Sequence, residues 1–367
     1  MSRVISKRAS FDAQRERIAR QPGLGLAGIL LVLPVAILLT VGFGALEPSL
    51  QVLGPISAFA LPGVAIIGFL WEDWPGTRMR APVSGLINTL LIVLGGVALT
   101  FAGQAVAYGR VDLRGVFEPT PGVGHAPTFP ATMPLAAAAF VAVLQLVLVS
   151  DGWPVNELGR LASGAAALLV SWGAAVAVYL LLVRTDPKPG SGLRALSGPL
   201  TGAQLGALLV VIGVWQVSFF VSLRAWPFDQ ITSFGRRIAT ANVVVIGAGV
   251  TTYAVLREIG WTPGTISSAG GSVIAAALVY SMLLDNWPAS RAHPARQRLA
   301  TIIVVAIFAA AFYSALTAIA DNAHWTTAKP DEWVAYACLN AIGLGVILHV
   351  AVGRRWPFAP APPPEVH

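Results

Sequence analysis

Among the side chains inside the apolar stretches of this chain that could do chemistry are Gln145, Gln216, Ser218, Tyr280 and His349, with Asn88, Asn242, Ser171, Thr251, Thr252 and Tyr313 as secondary members. Counted back from the nearest downstream Trp-Pro dipeptide, Gln145 and Ser218 are eight residues away and Tyr280 and His349 seven. At 1.5 Å per helical residue this is roughly 10–12 Å, close to the middle of a bilayer. Polar groups are expensive in hydrocarbon and tend to face a bundle interior. One expectation is therefore a central polar cluster with His349 as its single member able to titrate near neutral pH. The competing reading, and the commoner role, is hydrogen bonding between neighbouring helices.

Other chemistry is poorly provided for. Gly23-x-Gly25-x-x-Gly28 has the spacing of a dinucleotide fingerprint, but an apolar run follows it directly and no strand precedes it. The histidines at 125, 293, 324, 349 and 367 are scattered, which leaves no pair for haem and no cluster for zinc or a di-iron centre. Asp321 with His324 is the nearest thing to an acid–base pair. Cys338 is the single cysteine, so no disulfide forms within the chain. No cofactor and no enzymatic activity are expected.

The elements that position these residues follow from composition. Of the 367 residues 56% are hydrophobic and only 11% charged, against about 25% charged in soluble domains. Apolar runs at 23–45, 53–71, 83–107, 134–150, 161–183, 202–223, 238–256, 270–284, 299–320 and 333–353 read as ten membrane-spanning helices. Under these limits no Asp, Glu, Lys or Arg lies inside a span. The expected fold is an all-α polytopic bundle with a basic segment over 1–22, a transmembrane domain over 23–356 and a proline-rich tail over 357–367. The connection 108–133, rich in Pro and Gly, is long enough to cap one face.

Orientation follows from the basic residues. Seventeen of the 24 Lys and Arg fall on the side of the N-terminus, which places both termini in the cytoplasm. The net charge of +7 has the same origin and does not indicate nucleic acid. High Ala, Gly and Arg usage suggests a bacterial source and a location in the inner, plasma membrane.

An internal repeat is also legible. Trp74-Pro75, Trp153-Pro154, Trp226-Pro227, Trp287-Pro288 and Trp356-Pro357 each close an even-numbered span, 61 to 79 residues apart. A second signal opens the next span in Arg160-Leu161-Ala162-Ser163, Arg237-Ile238-Ala239-Thr240 and Arg298-Leu299-Ala300-Thr301. The expected unit is a helical hairpin used five times in parallel. Trp favours the headgroup level and Pro stops the helix before it, so the five tryptophans are expected as interfacial anchors. Besides the bilayer, a protein partner or a second copy could meet this Trp-Pro face. With no carboxylate or base in a span, ion-driven coupling would rest on His349 alone. The sequence thus implies a transporter or channel for a small neutral or amphiphilic solute, or else a non-catalytic anchor or assembly subunit.

Overall fold

A computed structural model describes residues 16–359 apart from Lys188. The first fifteen residues of the basic segment and the tail from 360 lie outside the described residues. The described residues are mostly helical, with one pair of two-residue strands among them, Val183–Arg184 beside Leu200–Thr201. Nine helices are long and apolar enough to cross a membrane among the described residues. They are α1 (Gly23–Val41), α2 (Leu46–Leu70), α3 (Ala81–Tyr108), α5 (Arg160–Leu182), α6 (Gly202–Ser222), α7 (Phe234–Glu258), α8 (Pro263–Leu283), α9 (Pro294–Asp321) and α10 (Pro330–Val352). At the position of the tenth expected span stands α4 (Met133–Val149), an apolar helix shorter than those nine.

Several helices begin earlier than hydropathy suggests. Residues 46–52 read as a loop because they hold Glu47 and Pro48, yet α2 starts at Leu46. The carboxylate of Glu47 is spent on the loop above α10. It accepts hydrogen bonds from the amides of Thr326, Thr327 and Ala328 and from both threonine hydroxyls at 2.7–2.9 Å. Charge at a helix end is tolerated once donors surround it. The other charged residues of the long helices likewise sit near their ends, such as Arg236, Arg237, Arg257 and Glu258 on α7.

The even-numbered helices form an inner ring. Helix α2 packs on α4, α4 on α6, α6 on α8, α8 on α10 and α10 back on α2. The odd-numbered helices lie outside, α3 on α2, α5 on α4, α7 on α6, α9 on α8 and α1 on α10. Outer apolar residues such as Leu30, Leu86, Leu169, Val243 and Leu299 expose more than half their surface, as lipid contact requires. The inward faces carry small residues. On α3, Gly96 meets the backbone of α2, and Gly103 receives the ring of the fully buried Phe59.

All five inner helices end alike. Each closes in a π turn, Ile66–Leu70, Gln145–Val149, Ser218–Ser222, Val279–Leu283 and Leu348–Val352. Two residues with positive φ follow each turn, then a cis Trp-Pro bond. The second of the two donates its amide six residues back: Asp73 to Ile67, Gly152 to Leu146, Ala225 to Phe219, Asn286 to Tyr280 and Arg355 to His349. Carbonyls that a helix C-terminus leaves open are thereby paired. Nine of these ten left-handed residues are not glycine, at a cost of about 1–2 kcal/mol each, so the pairing must outweigh that cost.

The outer helices dock on these ends through the second sequence signal. The indole N–H of Trp71 donates to the carbonyl of Arg160 at the start of α5 (2.6 Å). Arg237 on α7 pairs with Asp151 (3.0 Å), and the guanidinium of Arg298 on α9 lies over the Trp226 ring at 4.6 Å. Ahead of α1, Gln21 donates to Asp285 at 2.7 Å.

Candidate functional site

The inner ring encloses a cavity of about 710 Å³, within the size range of small-molecule sites. Residues of all five inner helices line it and none of the outer helices does. At the Trp-Pro end its lining is apolar: Phe69, Leu148, Val221, Leu278 and Ile347. The first three of these each precede their Trp by five residues, so shared register delivers them to one level. At the opposite end lie the cavity's charged lining residues, Arg184, Asp186, Lys329, Asp331 and Glu332, with Phe129 and Pro130 from the long connection. Tyr336 and Asn340 also line it, with the Tyr336 hydroxyl and the Asn340 amide nitrogen engaged elsewhere. The Tyr336 hydroxyl donates to the carbonyl of Leu39 (2.7 Å), and Asn340 Nδ2 donates to Gly54 O (3.2 Å) and Ser57 Oγ (3.1 Å).

The five midplane residues singled out from the sequence do not line this cavity. Gln145 and Gln216 do meet. Gln216 Nε2 donates to Gln145 Oε1 (2.7 Å) and to the Val141 carbonyl (3.0 Å). Gln145 donates in turn to Asn242 Oδ1 (2.9 Å), whose own amide reaches Ser150 Oγ (3.1 Å). This network joins α4, α6 and α7. Ser218 begins the π turn of α6. The hydroxyl of Tyr280 donates to the Asn286 carbonyl at the end of its own helix (3.1 Å). His349 is buried against α1, where Gly28 leaves room for its ring, and its Nε2 has no hydrogen-bond partner among the described residues.

The tryptophans of the five dipeptides divide by exposure. Trp153 and Trp356 are exposed, while Trp74, Trp226 and Trp287 are partly covered, Trp74 by an edge-on contact with Trp71 at 5.0 Å. Around them lies an ionic cluster that sequence reasoning missed. Asp73 is buried and bonds Arg354, Ser84 Oγ (3.2 Å) and Asn88 Nδ2 (2.5 Å). Arg355, also buried, pairs with Asp285 at 2.9 Å and donates to the carbonyls of Leu283 and Met282. The last inner helix is thus fastened to the first and the fourth. Charged residues beside Trp-Pro were legible as such; their pairing, across 281 residues for Asp73 with Arg354 and 70 for Asp285 with Arg355, was not.

The acid–base pair that forms is also a different one. His125 Nδ1 lies 2.9 Å from Asp112 Oδ2, which also accepts the Ala126 amide (2.9 Å), whereas no hydrogen bond joins Asp321 to His324 among the described residues. Buried Gln104 completes this loop, taking the Asp112 amide and donating to the carbonyls of Asp112 and Ala126. Desolvation pushes the Asp112 carboxyl up, but the Ala126 amide, His125 and the Gly115 amide prevail and hold it below its usual range. A depressed carboxylate contributes stability that is complete above its unfolded value of about 3.9 and is lost as pH falls through the lower folded value. Protection of the Ala126 and Thr128 amides from hydrogen exchange, taken against the intrinsic rate at each pH, is therefore expected to fall on acidification through that range. In Asp112→Asn the exchange is fast already at neutral pH, and protection unchanged by either treatment removes the carboxylate from the role given to it.

The cavity's lining supports binding of an apolar or amphiphilic molecule and holds no metal-ligand cluster among the described residues. Comparison with known proteins gives no further constraint: no family model, no curated protein and no solved structure matches this chain.

Proposed function

We propose that this membrane protein conducts or carries a small neutral or amphiphilic solute through the space inside its inner ring, without an intramembrane carboxylate to couple it to ions. The cavity carries this reading, since its charged lining gathers at one end and its far wall is apolar. Five hairpins of common descent explain why the five inner helices end in the same turn. The excess of basic residues at the Trp-Pro side supports a cytoplasmic placement of that face and of both termini. The charged mouth then faces outward, and the ring of apolar side chains over Phe69, Leu148 and Val221 acts as a hydrophobic barrier toward the cytoplasm. A non-catalytic assembly subunit is the second reading, favoured by exposed Trp153 and Trp356 on the Trp-Pro face.

Gly206 offers a direct test. It lines the cavity, and a Cβ placed on it meets nothing within 4 Å, so a larger side chain enters open space. In proteoliposomes the wild type should speed equilibration of glycerol or a short alkyl glycoside, and Gly206→Trp should slow it about tenfold by closing the path. Equal permeability of wild type, Gly206→Trp and protein-free vesicles would falsify conduction and leave the subunit reading.

A further inference from the structure

Resting on the reading of the cavity as a solute site, we infer that its occupant is an amphiphile with an ammonium head, seated tail-inward with the head at Asp331 and Glu332. Along α6 the lining extends from Gly202 to Val221, a rise of about 28 Å, and every lining residue on that helix is apolar. Neither this wall nor the inner end, with Phe69, Leu148, Val221, Leu278 and Ile347, carries a side chain that offers a hydrogen bond, so the part of a ligand lying against them must be hydrocarbon.

The head is selected at the mouth, where charges of both signs occur but in different settings. Arg184, Asp186 and Lys329 are exposed, hydrated and individually weak. Asp331 and Glu332 are half-buried in the first turn of α10. The carboxylate of Asp331 lies over Gly264, so close that a Cβ on that glycine would stand 1.6 Å from Oδ2. It therefore rests against the first turn of α8, at the positive end of that helix. Its Oδ1 is nevertheless buried without a hydrogen-bond partner among the described residues. Glu332 accepts the Lys329 amide on Oε2 (2.9 Å), with no bond to Oε1 among those residues. A buried carboxylate oxygen left unpaired is costly, and an N–H donor carrying positive charge is the group that removes the cost. An anionic head seated at Asp331 and Glu332 would be repelled by their carboxylates.

The test is competition at neutral pH, with the full chain in nanodiscs and a fluorescent octyl glycoside as the displaced probe. Octylamine should displace it at a concentration about tenfold or more below that of octyl sulfate. Asp331→Asn should abolish this preference while octyl glucoside binds as in wild type, which also shows that the variant folds; Glu332→Gln should weaken the preference. Octyl sulfate binding as well as octylamine, or an unchanged ratio in Asp331→Asn, overturns the head assignment and leaves the cavity a solute site. Failure of wild type to bind the probe, or equal binding by Gly206→Trp, overturns the cavity reading and the head assignment with it.

Discussion

Asp73→Ala is expected to lower the stability of the protein by about 3–5 kcal/mol, the cost of leaving a buried charge without its partner. The stranded group is Arg354, whose side chain is 15% exposed where Asp73 is 6% exposed. Asn88 and Ser84 lose their acceptor in the same step. The pair joins the end of α10 to the end of α2, so its loss opens the inner ring where the two extremes of the chain meet. Chemical unfolding in a fixed detergent measures the effect. Removing both charges in Asp73→Ala/Arg354→Met should recover most of the loss, because two well-packed neutral groups replace a buried pair at little cost. A double variant as unstable as the single one would show that the packing at this site, rather than the unpaired charge, sets the stability.

The second large effect is expected from Gly96→Leu. A Cβ at this position stands 2.7 Å from Ala60 Cβ, 2.8 Å from the Ile56 carbonyl and 3.1 Å from Ala60 Cα. Two of those three are backbone atoms of α2, which cannot turn aside as a long side chain can. Helices α2 and α3 must separate, and overpacking of this kind costs about 1–3 kcal/mol or more. Because α2 also lines the cavity, separation should reduce flux as well as stability. Gly95→Leu on the adjacent face meets nothing within 4 Å and serves as control. Equal melting temperatures for the two variants would mean that this contact does not hold α3 to the ring.

The Gln145–Gln216 pair shows how far polar residues could be read. Their depth was fixed by counting from Trp153 and Trp226, and their hydrogen bonding followed from the penalty on unpaired amides in an apolar setting. Their partners, Asn242 and Ser150, depend on which helix lies beside which, and residue counting carries no such information. His349 makes the same point from the other side. Its type and depth suggested a central role, yet its ring faces α1 across Gly28, because the rotation of α10 is set by packing.

By itself the sequence determined what lipid and water determine. Apolar length marked helices long enough to cross a membrane, charge marked the neighbourhood of their ends, and the recurring Trp-Pro marked where the inner helices stop. Those features are local, and each can be evaluated from a few neighbouring residues. It did not determine which helices stand inside. An inner and an outer helix are equally apolar, since a bilayer and a protein interior both exclude charge, so hydropathy cannot separate them. That choice, the cavity it creates and the ion pairs that close the ring arose only in the tertiary structure. They depend on close approach at residues such as Gly96 and on contacts such as Asp73 with Arg354, 281 residues apart.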